Sequence, residues 1–216
     1  GVVIVGVGTG LNYAGLGATH HAVEDIGVLR SIPNLNIVSP ADSLELRSLL
    51  RDVIKRKKPT YFRIGKKGEK NIYNTMPNTR IGKGNIIYDG KKICIISTGN
   101  IITNANQAIL NLRKKNIQPG LISMHTIKPL DHEALQLWLP QVQGIVSVEE
   151  HTRIGGLGSA LLEFCSDDMP EQASKIRRIG FPDRFADQYG DQNSLLNHWG
   201  ISVEKLVLTM RDRIKK

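Results

Sequence analysis

Alternation of apolar strands with amphipathic helices along 216 residues predicts an α/β fold of two units, each a mostly parallel sheet flanked by helices. Three observations carry this. Short β-branched runs recur at residues 1–7, 36–38, 60–64, 92–98, 120–124, 144–148 and 175–179. Helical spacing of apolar residues falls between them, most regularly at Leu46, Leu49, Leu50, Val53 and Ile54. Residues 65–82 lose both periods and hold Gly65, Gly68, Pro77 and Gly82, which reads as a linker between domains. The expected division is therefore residues 1–82 and residues 83–216.

Residues 1–7 read as a buried strand, and a Gly-rich loop follows. Thr19 is placed to cap a helix with Ala22, Ile26 and Leu29 on one face. Asp42 and Glu45 have capping-box spacing ahead of the second helix. In the second unit Ala105, Ala108, Ile109 and Leu112 mark one helix, and a short one starts at Asp131. Leu157, Ala160, Leu161, Phe164 and Cys165 mark another, and Ser202 is placed to cap the last.

Composition narrows the function classes. Hydrophobic residues make up 40% and charged residues 23%, which is globular and excludes a disordered chain. No apolar run approaches the roughly 18 residues a membrane span needs. Cys94 and Cys165, both in apolar company, indicate a reducing compartment, hence a cytoplasmic protein. The chain opens without Met inside a strand pattern, which reads as a piece of something longer. Its net charge is +9, and residues 51–92 alone hold 13 basic and 3 acidic residues. Tyr61, Phe62, Tyr73 and Tyr88 in this block form no stacking motif, so a solvated linker and helix end is favoured over a site for phosphorylated metabolites, and that over a nucleic-acid surface.

Three motifs bear on chemistry. Gly6-Val7-Gly8-Thr9-Gly10 follows a strand but lacks the third glycine of a dinucleotide fingerprint. Gly17-Ala18-Thr19-His20-His21 places two histidines at an expected helix start, where anions are attracted but where capping and surface roles are also common. Glu149-Glu150-His151-Thr152-Arg153 through Gly155-Gly156-Leu157-Gly158-Ser159 resembles a phosphate loop without its Lys-Ser/Thr pair, and close packing or an interface is the better reading. Cys94 and Cys165 have no metal-ligand spacing.

The run from Gly17 through Glu24-Asp25-Ile26, Leu29-Arg30, Pro33-Asn34 and Pro40-Ala41-Asp42 resembles the transketolase family. Pro59-Thr60-Tyr61-Phe62-Arg63, Ile127-Lys128-Pro129-Leu130-Asp131, the Glu149 motif and Gly180-Phe181-Pro182-Asp183-Arg184-Phe185 agree in order. The last phrase is closer to split, subunit-type transketolases than to deoxyxylulose phosphate synthases. The resemblance implies part of a thiamine diphosphate- and Mg²⁺-dependent transferase moving a two-carbon ketol unit between phosphorylated sugars. Residues 1–82 would be the second half of a pyrimidine-binding domain, and 83–216 the C-terminal domain. The family's catalytic glutamate and pyrimidine-stacking aromatics would lie upstream. No cofactor-binding or metal residue is therefore assigned here, and the fragment alone is expected to be inactive and to bind no cofactor tightly.

The resemblance also implies a partner, an N-terminal thiamine diphosphate-binding domain or subunit, in a homodimer or heterotetramer. Nucleic acid and membrane are not expected partners. His20 would be catalytic and substrate-binding, and Arg63 and Lys66 would bind the sugar phosphate. Leu16 stands where many members carry an acidic residue, Gly8 where they carry a histidine, and Ala18 where they carry proline. Two readings compete. One is another thiamine diphosphate enzyme, a deoxyxylulose phosphate synthase or a 2-oxo-acid dehydrogenase beta subunit. The other is a non-catalytic module that docks a catalytic subunit.

Overall fold

The computed structural model describes residues 1–66 and 68–214. Two sheets carry the fold. The first has the order β1-β3-β2-β7, from β1 (Val3–Val7), β3 (Thr60–Ile64), β2 (Asn36–Val38) and β7 (Thr126–Lys128). The second has the order β4-β6-β5-β8-β9, from β4 (Asn85–Tyr88), β6 (Gly120–Ser123), β5 (Ile93–Ser97), β8 (Gly144–Thr152) and β9 (Ile176–Phe181). Every pairing is parallel except β2 with β7 and β4 with β6. The α/β expectation thus holds.

β3 is central, and Thr60, Tyr61, Phe62 and Arg63 are buried on both of its faces. Phe62 and Val38 meet Leu49 and Val53 of α2 (Ser43–Arg56) on one face. On the other, Tyr61 and Ile37 pack with Ile26 of α1 (Asp25–Arg30) and Ala160 of α5 (Leu157–Asp168). The second core lies between β5, β6 and β8 and the helices α3 (Ile102–Arg113), α5 and α7 (Val203–Ile214), with α4 (His132–Trp138) and α6 (Gln192–His198) at its margins.

Four expectations change. β1 forms, but Val3, Ile4, Val5 and Val7 are exposed rather than buried. It is an edge strand paired only with β3, and an apolar run reads the same whether or not something covers it. Thr19 caps no helix. Residues 14–20 form two 3₁₀ turns, and α1 begins only at Asp25. The cause is a backbone bridge, Gly10 N–H to Ala22 O at 2.9 Å and Ala22 N–H to Gly10 O at 3.0 Å, which holds Ala22 out of helical geometry. Residues 65–66 and 68–82 have no regular structure, yet residues 72–81 are strapped along α2. Asp42 Oδ1 caps α2 through Leu44 and Glu45 N–H, and Oδ2 takes the N–H groups of Ile72 and Tyr73. Ser48 and Asp52 accept from the N–H groups of Thr79 and Ile81. Finally, Ser202 Oγ donates 3.2 Å to Asn197 Oδ1 instead of capping α7.

Glu45 lies where α2, the strapped segment and the second sheet meet. It is wholly buried, and its carboxylate accepts from Ala41 N–H (2.6 Å), Tyr73 OH (2.8 Å), Asn85 Nδ2 (2.9 Å) and Ser123 Oγ (3.2 Å). Burial dominates these bonds and raises its pKa to about 7.

Candidate functional site

The loop after β1 carries the exposed groups of the site. Gly8 and Thr9 N–H donate to Ile64 O, which ties the loop to the end of β3. Lys66, just beyond that end, is exposed, and its Nζ lies 5.6 Å from the Tyr13 ring centroid. Gly8 has φ +86°, and a side chain there would collide with the Tyr13 ring. Tyr13 thus fills the space that a side chain at Gly8 would need. His20 is exposed at the end of the second 3₁₀ turn, with Nδ1 3.1 Å from Thr19 Oγ1. It does not stand at a helix N-terminus, so it gains no help there in attracting an anion.

Arg63 is inside the protein. Its Nε donates to Asp25 Oδ1 (3.1 Å) and Oδ2 (2.9 Å), and its Nη2 to the carbonyls of Ala22 (2.8 Å) and Glu150 (2.9 Å). Tyr61 OH donates to Asp25 Oδ2 at 2.8 Å. Burial and the adjacent carboxylate push the Tyr61 phenol well above its usual range, so it stays a donor. The expected phosphate-facing fork is therefore corrected: a guanidinium whose side chain is 1% exposed braces the His20–Asp25 segment from behind. Among the described residues no hydrogen bond joins His20 to Arg63 or Lys66.

The end of β8 completes this brace. His151 Nδ1 donates to Thr152 O at 2.7 Å and Nε2 accepts from Gly27 N–H at 3.2 Å, which fixes the neutral tautomer. Burial, then the charge of Arg63, lowers its pKa to about 4. Glu149 accepts from Leu157 and Gly158 N–H and caps α5 from within the core. Burial raises it to about 7. A side chain on Gly156 would collide with that carboxylate. Gly156 makes room for the chain's own acid, Gly155 for the Gly27 backbone, and Gly158 for Ser147 and Arg178, which is the close packing the sequence suggests.

Asp25, Tyr61, Glu149 and His151 carry no sign of this role in the sequence, although the Glu24-Asp25 and Glu149-Glu150-His151 strings contain three of them. Residues 1–23 hold no acidic residue. Glu45, Glu149 and Asp25 are engaged internally, whereas Glu150 accepts only at Oε1 and leaves Oε2 buried without a partner; no group of three or more metal-ligating side chains occurs among the described residues.

Comparison with known proteins decides the family. The transketolase pyrimidine-binding domain model matches residues 1–69, and the transketolase C-terminal domain model matches residues 82–206. The chain belongs to the transketolase family. A subunit of the apulose-4-phosphate transketolase of Phocaeicola vulgatus is 37% identical over 216 residues, covering 100% of this transketolase chain and 68% of the relative. The 1-deoxy-D-xylulose-5-phosphate synthase of Caldanaerobacter subterraneus subsp. tengcongensis is 33% identical over 202 residues, covering 93% of this chain and 32% of the relative. Among solved structures, a split gene transketolase described as an inactive beta4 tetramer superposes with TM-score 0.87 at 27% identity, covering 99% of this chain and 67% of that one. The transketolase section in hand is thus similar in extent to about two thirds of a subunit-type relative. No helix among the described residues is long and apolar enough to cross a membrane.

Proposed function

We propose that this chain supplies the substrate-facing C-terminal section of a thiamine diphosphate- and Mg²⁺-dependent transketolase that transfers a two-carbon ketol unit between phosphorylated sugars. The observation that carries this is the match, over the whole of this chain, to one subunit of a split transketolase, across both the pyrimidine-binding and C-terminal models. Thiamine diphosphate follows from the family. An N-terminal section, as a domain or separate subunit, would supply the diphosphate grip, and the assembly would be a homodimer or heterotetramer in the cytoplasm. Residues 1–82 and 83–216 would correspond to the two domains. His20 would contact the sugar and move a proton at its imidazole nitrogen, Lys66 would meet the phosphate, and Arg63 would hold the His20–Asp25 segment in place. The chain alone would not turn over.

The test is reconstitution. The chain is combined with an N-terminal transketolase section, and ketol transfer between phosphosugars is followed with thiamine diphosphate and Mg²⁺. Activity in the mixture and none in either part supports the proposal. Activity with pyruvate as donor instead would favour a deoxyxylulose phosphate synthase, the reading that the 33% match keeps in view.

A further inference from the structure

The open edge of the second sheet carries a strongly positive hollow, and the reading above assigns it nothing. β9 is the edge strand there, paired only with β8. Arg153, Arg177, Arg178 and Arg184 line a hollow of about 480 Å³ with His198 and Trp199. Among the described residues, no aspartate or glutamate lines it. Four positive charges of a chain with a net +9 are therefore gathered at one place. Among the described residues, none of the four has a carboxylate oxygen within ion-pair distance. Asp212 lines an adjoining hollow with Arg177 without pairing to it, and Asp187 lies 3.8 Å from His198.

Two of the four guanidiniums, those of Arg178 and Arg184, are held in place. Arg178 Nη1 donates to Arg153 O (2.7 Å) and is 3.2 Å from Ser159 Oγ. Arg184 stacks 4.6 Å from the Trp199 ring, which is itself backed by the edges of Phe181 and His198. An edge strand is commonly guarded by a charge against pairing with another chain, but scattered lysines do that. Arg177 and Arg178 are consecutive on β9 and leave opposite faces of the strand, so the four arginines flank the hollow from both sides of the sheet edge; like charges gathered there repel one another until an anion enters, and their planar forks match phosphate oxygens.

We propose that this hollow binds a small phosphate-rich molecule, one carrying at least two phosphate groups. The site lies on the second sheet and does not rest on the thiamine diphosphate reading.

The test is calorimetric titration of the full chain at about 150 mM salt, where non-specific charge attraction is screened. The probes are inorganic pyrophosphate, adenosine triphosphate and fructose 1,6-bisphosphate. Saturable binding of at least one probe with a Kd of about 1 mM or tighter is expected. Arg153→Ser with Arg177→Ser, two exposed positions, should weaken it about tenfold or more. Lys91→Ser with Lys92→Ser removes the same charge elsewhere and should leave it within about twofold. Should the arginine double variant not fold, the exposed Arg184→Ser serves in its place. Equal affinity for pyrophosphate and the nucleotide identifies a phosphate-chain ligand, tighter nucleotide binding a nucleotide, and tighter bisphosphate binding a sugar. Absence of saturable binding by all three probes overturns the proposal. So does equal weakening by the two double variants, or no weakening by the arginine substitutions.

Discussion

Arg63 Nε lies 2.9 Å from Asp25 Oδ2, joining two residues 38 positions apart in an ion pair whose arginine is shut away from water. The pair fixes where α1 begins and, through Ala22 O, where the His20 segment runs.

Arg63→Ala leaves Asp25 without its cation and removes a donor from the carbonyls of Ala22 and Glu150. Breaking such a buried pair costs about 3–5 kcal/mol. The expected result is a lower thermal midpoint and lower denaturant midpoint. In a reconstituted enzyme it would be a fall in kcat from a displaced loop, not a rise in KM alone. A well-folded Arg63→Ala variant with only KM raised would restore the phosphate-binding role.

His20 is exposed and bonded only to Thr19, so His20→Ala should change stability by no more than about 0.5 kcal/mol. Turnover of the reconstituted enzyme should fall about 10²-fold or more if the imidazole handles a proton. Stopped-flow or coupled assays beside a thermal melt separate the two effects.

Glu45 makes the stability fall with rising pH. Its folded pKa, about 7, exceeds its ordinary value of 4.5, so between these values the folded state holds a proton that the unfolded state has released. Stability therefore declines from about pH 4.5 to 7 and then levels, by at most about 1.4 kcal/mol per pH unit for one proton. Glu149 acts in the same direction. His151 opposes both: with its pKa lowered to about 4 from 6.5, its contribution is present above 6.5 and lost as pH falls. Urea melts from pH 5 to 8 should show a flatter profile for Glu45→Gln than for the parent. An unchanged profile would remove Glu45 as the titrating group.

Gly8→His should destabilise by about 1–3 kcal/mol, since φ is +86° and Tyr13 occupies the space. Adding Tyr13→Ala should recover part of the loss, measurable as coupling in a double-mutant cycle. Strict additivity would show that Tyr13 is not the obstacle.

The long elements are legible in the sequence where period and length agree. α2, α3 and α5 each carry a full apolar stripe, and the interior strands β3, β5 and β6 are short runs rich in β-branched, aromatic and aliphatic residues. β4, β7 and α6 are not, because three to seven residues of mixed character show no period. The candidate site is read from motif resemblance alone, and the structure leaves His20 and Lys66 exposed. The burial of Arg63 is not legible, because an arginine in a strand gives no local sign of a carboxylate waiting on another element.

The strand β7 has a last consequence. It arises downstream of residue 83 yet closes the first sheet, pairing antiparallel with β2 while Ser39 N–H reaches His125 O at 2.7 Å and Lys128 Nζ holds Arg30 O at 2.8 Å. The two units are stitched rather than merely tethered. A protease cut or gene exchange between residues 82 and 83 would strip β2 of its outer neighbour and leave β7 an orphan. Any recombination that keeps both halves foldable must move β2 and β7 together.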